Sequence, residues 1–116
     1  MIEQVRPAAL QAWMQSMHKA SPDRSPMVLD VREGWELQTA SVTPSGFTLV
    51  HIPMGEIASR VSELKPGTPI ACLCHHGARS QRVAQFLHQQ GLGPVVNIAG
   101  GIDAWSGEVD PSVPRY

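Results

Sequence analysis

The chain has 116 residues, of which 42% are apolar and 16% charged, a balance that excludes a disordered chain and fits one ordinary domain. Nine Lys and Arg residues against ten Asp and Glu leave a net charge of −1. With no long basic run, neither nucleic acid nor an anionic membrane surface is expected as the main partner.

No apolar run approaches the roughly 18 residues that a membrane span requires. The opening Met1–Arg6 lacks the basic-then-apolar order of a secretory signal. Cys72 and Cys74 are too close in sequence to close a useful disulfide loop. A reduced, cytoplasmic protein, monomeric by default, is the expectation.

In chain order, Ile2–Val5 reads as a short first strand. Pro7 suits the first turn of a helix over Ala8–Met17, where its missing N–H is not needed. Leu10, Trp13, Met14 and Met17 recur there at spacings of three and four and predict a core-facing stripe. Ser21–Pro26 reads as a turn, and Met27–Val31 as a strand buried on both faces. A short helix is expected over Glu33–Gln38, a loop over Thr43–Gly46 and a second apolar strand over Phe47–Ile52. Gly55–Leu64 reads as a helix with Ile57, Val61 and Leu64 on one face, stopped by Lys65-Pro66-Gly67. Pro69–Leu73 is the next strand, and Ser80–Gln90 a helix closed by Gly91. Val95–Ile98 is the last strand, followed by Gly100-Gly101 and a helix carrying Ala104 and Trp105.

This alternation predicts one α/β domain over residues 1–116, with a largely parallel sheet of about five strands and helices on both faces. In such sheets function collects at the carboxyl ends of the strands. The rule selects Asp30-Val31-Arg32, Cys74–Arg79 and Ala99-Gly100-Gly101.

Cys74 is the most informative residue. A strand ends, the cysteine follows, and a loop with a central Gly77 runs into a helix. Unpaired N–H groups at a helix start form an anion site. If Gly77 curls the loop, successive N–H groups can converge on the sulfur, which lowers a thiol's pKa. Arg79 adds a positive charge for an anionic substrate.

Cys74-His75-His76-Gly77-Ala78-Arg79-Ser80 resembles the Cys-x-x-Gly-x-Arg-Ser active loop of the single-domain rhodanese (thiosulfate sulfurtransferase) family. Leu29-Asp30-Val31-Arg32-Glu33 is similar to that family's Asp-x-Arg segment, and Gly100-Gly101 with Trp105 to its closing Gly-Gly-x-x-x-Trp motif. One segment departs: Ala40-Ser41-Val42 stands where the family carries Gly-His-Ile-x-Gly-Ala, which leaves the Ala40–Phe47 loop unassigned. His51-Ile52-Pro53 reads instead as the family's later strand end.

The resemblance implies a rhodanese-like domain that moves a sulfane sulfur from thiosulfate or a persulfide donor, through a Cys74 persulfide, to a thiol, cyanide or protein acceptor. It implies Cys74 as nucleophile and His75, His76, Gly77, Ala78, Arg79 and Ser80 as the substrate-binding loop, with Arg79 on the donor's sulfonate. No metal or organic cofactor is expected.

Other readings stand beside it. Cys72, inside an apolar strand, reads as structural. His75 and His76 invite zinc, but adjacent histidines rarely face one ion and the usual ligand spacings are absent. They are expected to line the loop and shape donor access. Asp30 and Arg32 are expected to support the loop from beneath, with Asp30 orienting loop groups. His18, His51 and His88 show no constellation. The rival functions are a Cys-dependent phosphatase or arsenate reductase and a non-enzymatic sulfur-carrier or partner-binding module. A phosphatase of similar fold uses Cys-x5-Arg; Cys74 to Arg79 is one residue shorter.

Overall fold

Short runs of β-branched and aliphatic residues form a sheet with few polar side chains, and helices cover both of its faces. The computed structural model describes residues 1–116. The strands are β1 (Glu3–Val5), β2 (Met27–Asp30), β3 (Thr48–His51), β4 (Ile70–Leu73) and β5 (Val95–Ile98). They pair in the order β1-β5-β4-β2-β3, and every pair is parallel. β4 is thus central, and the strand order reverses around it, the position where open α/β sheets form a crevice at their carboxyl ends.

The helices are α1 (Pro7–Ala20), α2 (Gly34–Thr39), α3 (Ile57–Arg60), α4 (Ala78–Gln89) and α5 (Gly101–Glu108). Period-two alternation divides the core between the two faces. Ala71, Leu73, Val96 and Ile98 pack with Leu10 and Met14 of α1 and with Ile102 and Trp105 of α5. Ile70, Cys72 and Cys74 pack on the other face with Ile57 of α3 and with Val83, Ala84 and Leu87 of α4.

Two expectations change. Only Leu10 and Met14 of the α1 stripe are fully buried; Trp13 and Met17 lie half-buried. Leu10 and Met14 are four apart and share the line facing the sheet, which leaves Trp13 and Met17 on the helix's shoulder. The helix expected over Gly55–Leu64 is three pieces: a 3-10 turn over Met54–Glu56, α3, and a second 3-10 turn over Val61–Glu63. So short a segment has little helical stability of its own, and burying Ile57 and Leu64 decides its path. β3 ends at His51, with Ile52 buried after it, so His51-Ile52-Pro53 occupies a strand end.

Candidate active site

β4 delivers Cys74 to the carboxyl edge of the sheet, and the chain turns at once into α4. The turn requires Gly77, whose φ of +110° lies in the left-handed region. In that conformation its N–H donates to Cys74 Sγ at 3.0 Å, and Ser80 Oγ, in the first turn of α4, lies 3.2 Å from the same sulfur. Cys74 itself is 1% exposed. The expected convergence of several backbone N–H groups is therefore one N–H and one hydroxyl, because the loop enters the helix as soon as Gly77 has turned. Cys72 lies two residues back on the same face, and burial pushes its thiol pKa up, followed by repulsion from Cys74.

Beneath the loop sits Asn97, a buried polar residue on β5. Its side-chain N–H groups donate to Gly77 C=O at 3.1 Å and to Gln4 Oε1 at 2.9 Å. That fixes the amide with Oδ1 toward Ser80, whose hydroxyl lies 2.5 Å away. One hydroxyl proton thus faces three acceptors: Asn97 Oδ1, the sulfur and, more distant at 3.4 Å, the Gly77 carbonyl. When Ser80 donates to Asn97, its oxygen is free to accept from a Cys74 thiol; when the sulfur is a thiolate, the proton can turn to it.

Arg79 is paired with a carboxylate of this chain. Its two terminal nitrogens donate to Glu36 Oε1 at 2.7 Å and Oε2 at 2.8 Å, so a buried carboxylate matches the charge expected to meet a donor's sulfonate. Glu36 also accepts from the Glu33 N–H (3.1 Å) in a capping box at the start of α2 and from the Tyr116 hydroxyl (2.6 Å). Arg79, with Tyr116 and the Glu33 N–H, holds the Glu36 carboxyl at about 2, against the cost of its burial.

Asp30 does not orient the loop. It accepts from Arg32 Nε at 2.9 Å and Nη2 at 2.7 Å, a two-bond pair with both side chains almost fully buried. The carboxylate cannot reach the loop while it neutralises a guanidinium excluded from water. Arg32 Nη1 then donates to the Glu36 carbonyl (3.3 Å) and to the Tyr116 hydroxyl oxygen (3.0 Å). His51 Nε2 lies 2.7 Å from the Arg32 carbonyl and ties the end of β3 to this bend.

The beginning of α5 holds the other end of the loop. The Ile102 and Asp103 N–H groups donate to the Cys74 and His75 carbonyls at 2.9 and 3.1 Å. A Cβ at Gly101 would meet those carbonyl oxygens at 2.5 and 2.4 Å, so no larger residue fits there without movement. The Gly-Gly turn is thus a packing device against the loop.

His75 and His76 flank the mouth with stacked rings, centroids 3.9 Å apart and planes 23° apart. Burial, then the neighbouring His76, lowers the His75 pKa and favours the neutral ring. Ligand atoms of His75, His76 and Asp103 lie within 4.8 Å of one another. Nearly parallel rings direct their in-plane lone pairs side by side, so a shared ion would require one ring to turn.

The structure therefore brings Cys74, Gly77 and Ser80 together. It places Arg79, Asp30 and Arg32 in a supporting ion-pair layer and leaves His75 and His76 at the rim. Ala78 opens α4. Sequence reasoning missed Glu36, Asn97 and Tyr116. Glu36 had a signal in its three-residue spacing from Glu33, and Asn97 in being the one polar residue of Val95–Ile98. Tyr116 had none.

Fold and site define a parallel α/β domain built around a buried cysteine in a strand–loop–helix turn. The chain belongs to the rhodanese-like domain family, whose model matches residues 10–108. It is 36% identical over 92 residues to YrkF of Bacillus subtilis (strain 168), covering 79% of this chain and 48% of YrkF. It spans only 24% of a Zea mays adenylyltransferase and sulfurtransferase, MOCS3-2, at 30% identity over 97% of this chain. With YtwF of Bacillus subtilis (strain 168) it shares 32% identity over 95% of this chain and 96% of that one. The crystal structure of a rhodanese-related protein from Thermoplasma volcanium superposes with a TM-score of 0.76 at 30% identity, covering 98% and 99% of the two chains.

Proposed function

We propose that this domain transfers sulfane sulfur through Cys74. The observation that carries the reading is the Gly77 N–H donated to one buried sulfur, with the Ser80 hydroxyl within reach of the same atom. The names of relatives support it: YtwF is provisionally named a sulfurtransferase, and YrkF a sulfur carrier protein.

In the first step the Cys74 thiolate attacks the outer sulfur of thiosulfate. A new S–S bond forms, the old one breaks, and sulfite leaves with the electron pair. In the second step an acceptor attacks the outer sulfur of the Cys74 persulfide. The acceptor gains the sulfur and the thiolate is restored. Loop donors stabilise negative charge on sulfur as an oxyanion hole does on oxygen. Arg79 supports the loop through Glu36 in this scheme, and donor binding falls to the loop and its rim. In this scheme the donor is a small sulfur compound such as thiosulfate and the acceptor cyanide, a thiol or a protein; a thiolate nucleophile fits a reducing, cytoplasmic setting.

Thiosulfate should add one sulfur atom to Cys74 and none to Cys72, as intact-mass and peptide mass spectrometry would read. Cyanide should then release thiocyanate. Cys74→Ser should abolish both reactions, and Cys72→Ser should retain most of each. Thiocyanate turnover by Cys74→Ser would overturn the proposal. A carrier-only domain would load sulfur and hand it to a thiol without steady turnover on cyanide.

A further inference from the structure

Tyr116 touches one end of the Cys74–Arg79 loop directly and the other through Glu36. At the cysteine end its ring lies flat on His75, with centroids 3.9 Å apart and planes 6° apart. At the helix end its hydroxyl shares Glu36 Oε2 with Arg79 Nη2, at 2.6 and 2.8 Å. The direction of the hydroxyl is settled by its other neighbour. Arg32 Nη1 can only donate, and it reaches the Tyr116 oxygen at 3.0 Å, so the phenolic proton points to Glu36. Arg32 is itself fully buried and doubly bonded to Asp30.

The segment that brings Tyr116 here is anchored ahead of it. Val113 is buried in the α1/α5 core, and its carbonyl accepts from Ser106 Oγ at 2.7 Å. Arg115 pairs with Asp103 at 3.2 Å, and Trp35 meets the Tyr116 ring edge-on at 6.2 Å. Burial raises the phenol's pKa, which keeps its proton available for donation.

We propose that Tyr116 is a positioning residue for the sulfur-transfer loop, acting on its Arg79 end through Glu36 and on its cysteine end through His75. The Gly77 N–H and Ser80 hydroxyl meet the sulfur only while the loop keeps one shape. The sulfur sits at the cysteine end of that loop, and Tyr116 contacts His75 next to it and Glu36, the partner of Arg79, at the other end. The kinetic consequences rest on the sulfur-transfer reading; the chemical reactivity of Cys74 does not.

The test uses Tyr116→Phe, which retains the ring and loses both hydroxyl bonds, and Tyr116→Ala, which loses both contacts. Steady-state kinetics with thiosulfate and cyanide would be run beside the alkylation rate of each cysteine with iodoacetamide, read by peptide mass spectrometry. Loosening the loop by a fraction of an ångström should lower kcat/KM for thiosulfate roughly tenfold in Tyr116→Phe and about a hundredfold in Tyr116→Ala. Cys74 should alkylate faster in the order wild type, Phe, Ala, while Cys72 stays unreactive. In a Glu36→Gln background, Tyr116→Phe should cost less than about a further twofold, because its route to Arg79 is already weakened.

Wild-type kinetics and alkylation in Tyr116→Phe would overturn the proposal. So would a loss that multiplies fully with Glu36→Gln, or Cys72 opening together with Cys74, which marks general destabilisation. If no donor ever loads Cys74 yet the alkylation order holds, sulfur transfer fails and the positioning role stands.

Discussion

At the residue scale, the buried Asp30–Arg32 pair shows how a charge can be structural beside a candidate active site. Neither ion has water, so each depends on the other and on the bonds that complete it. Arg32→Ala should leave the Asp30 carboxylate unpaired in the sheet edge and cost about 3–5 kcal/mol, a large share of a small domain's stability. Urea denaturation would measure it; a loss no larger than that of an exposed pair would show that water reaches Asp30. Arg79 belongs to the same layer. Its replacement by Ala should act on sulfur transfer through loop disorder, lowering kcat as well as raising the KM for thiosulfate. A change confined to KM would return Arg79 to the donor-binding role expected from sequence.

At the element scale, the decisive contact is the approach of α5 to the loop. Gly101 has φ +60°, and its Cα faces the Cys74 and His75 carbonyls closely enough to exclude a Cβ. Gly101→Ala must therefore move either the loop or the helix start, with about 2–4 kcal/mol of destabilisation expected from strain and lost hydrogen bonds. Thermal unfolding would check this, and a variant of unchanged Tm would show that the turn yields without strain. Loop length is the second element-scale constraint. With six residues from Cys74 to Arg79, the unmodified protein should leave aryl phosphates intact, since phosphoryl transfer requires room for three equatorial oxygens and an in-line leaving group. One glycine inserted between Gly77 and Ala78 should displace Ser80 from the sulfur and lower thiosulfate turnover about a hundredfold. Retained turnover would show that the Ser80 contact is dispensable.

At the scale of the whole molecule, the site joins distant parts of the chain, and that makes global stability depend on pH. Glu36 ties α2 to Arg79 of α4 and to Tyr116, with its carboxyl lowered from the ordinary 4.5 to about 2, first by Arg79. A depressed folded-state pKa stabilises the fold above the unfolded carboxylate's pKa, and the gain fades as pH falls through the folded value. The stability difference between wild type and Glu36→Gln should thus be full above about pH 5 and shrink toward zero near pH 2. Added salt should weaken the exposed Arg60 pairs with Glu56 and Glu63 but leave this difference largely in place. Urea titrations across that range would test it; a pH-independent difference would mean that Glu36 acts only by packing.

The sequence by itself determined the parallel α/β order, the strand-end rule that selects Cys74, and Gly77 as the turning residue. Each rests on local signals: apolar runs of strand length, helix stops, and a glycine where the backbone must go left-handed. The same local logic made α3 too long and buried too much of the α1 stripe, because periodicity does not fix how far a helix is rolled against its sheet. Partner choice was decided by the tertiary structure. Asp30 faces Arg32, Arg79 faces Glu36 from 43 residues away, and Tyr116 reaches Glu36 from a separation of 80. Ion pairs and hydrogen bonds form between groups brought within about 3 Å, and only the folded chain sets which groups those are.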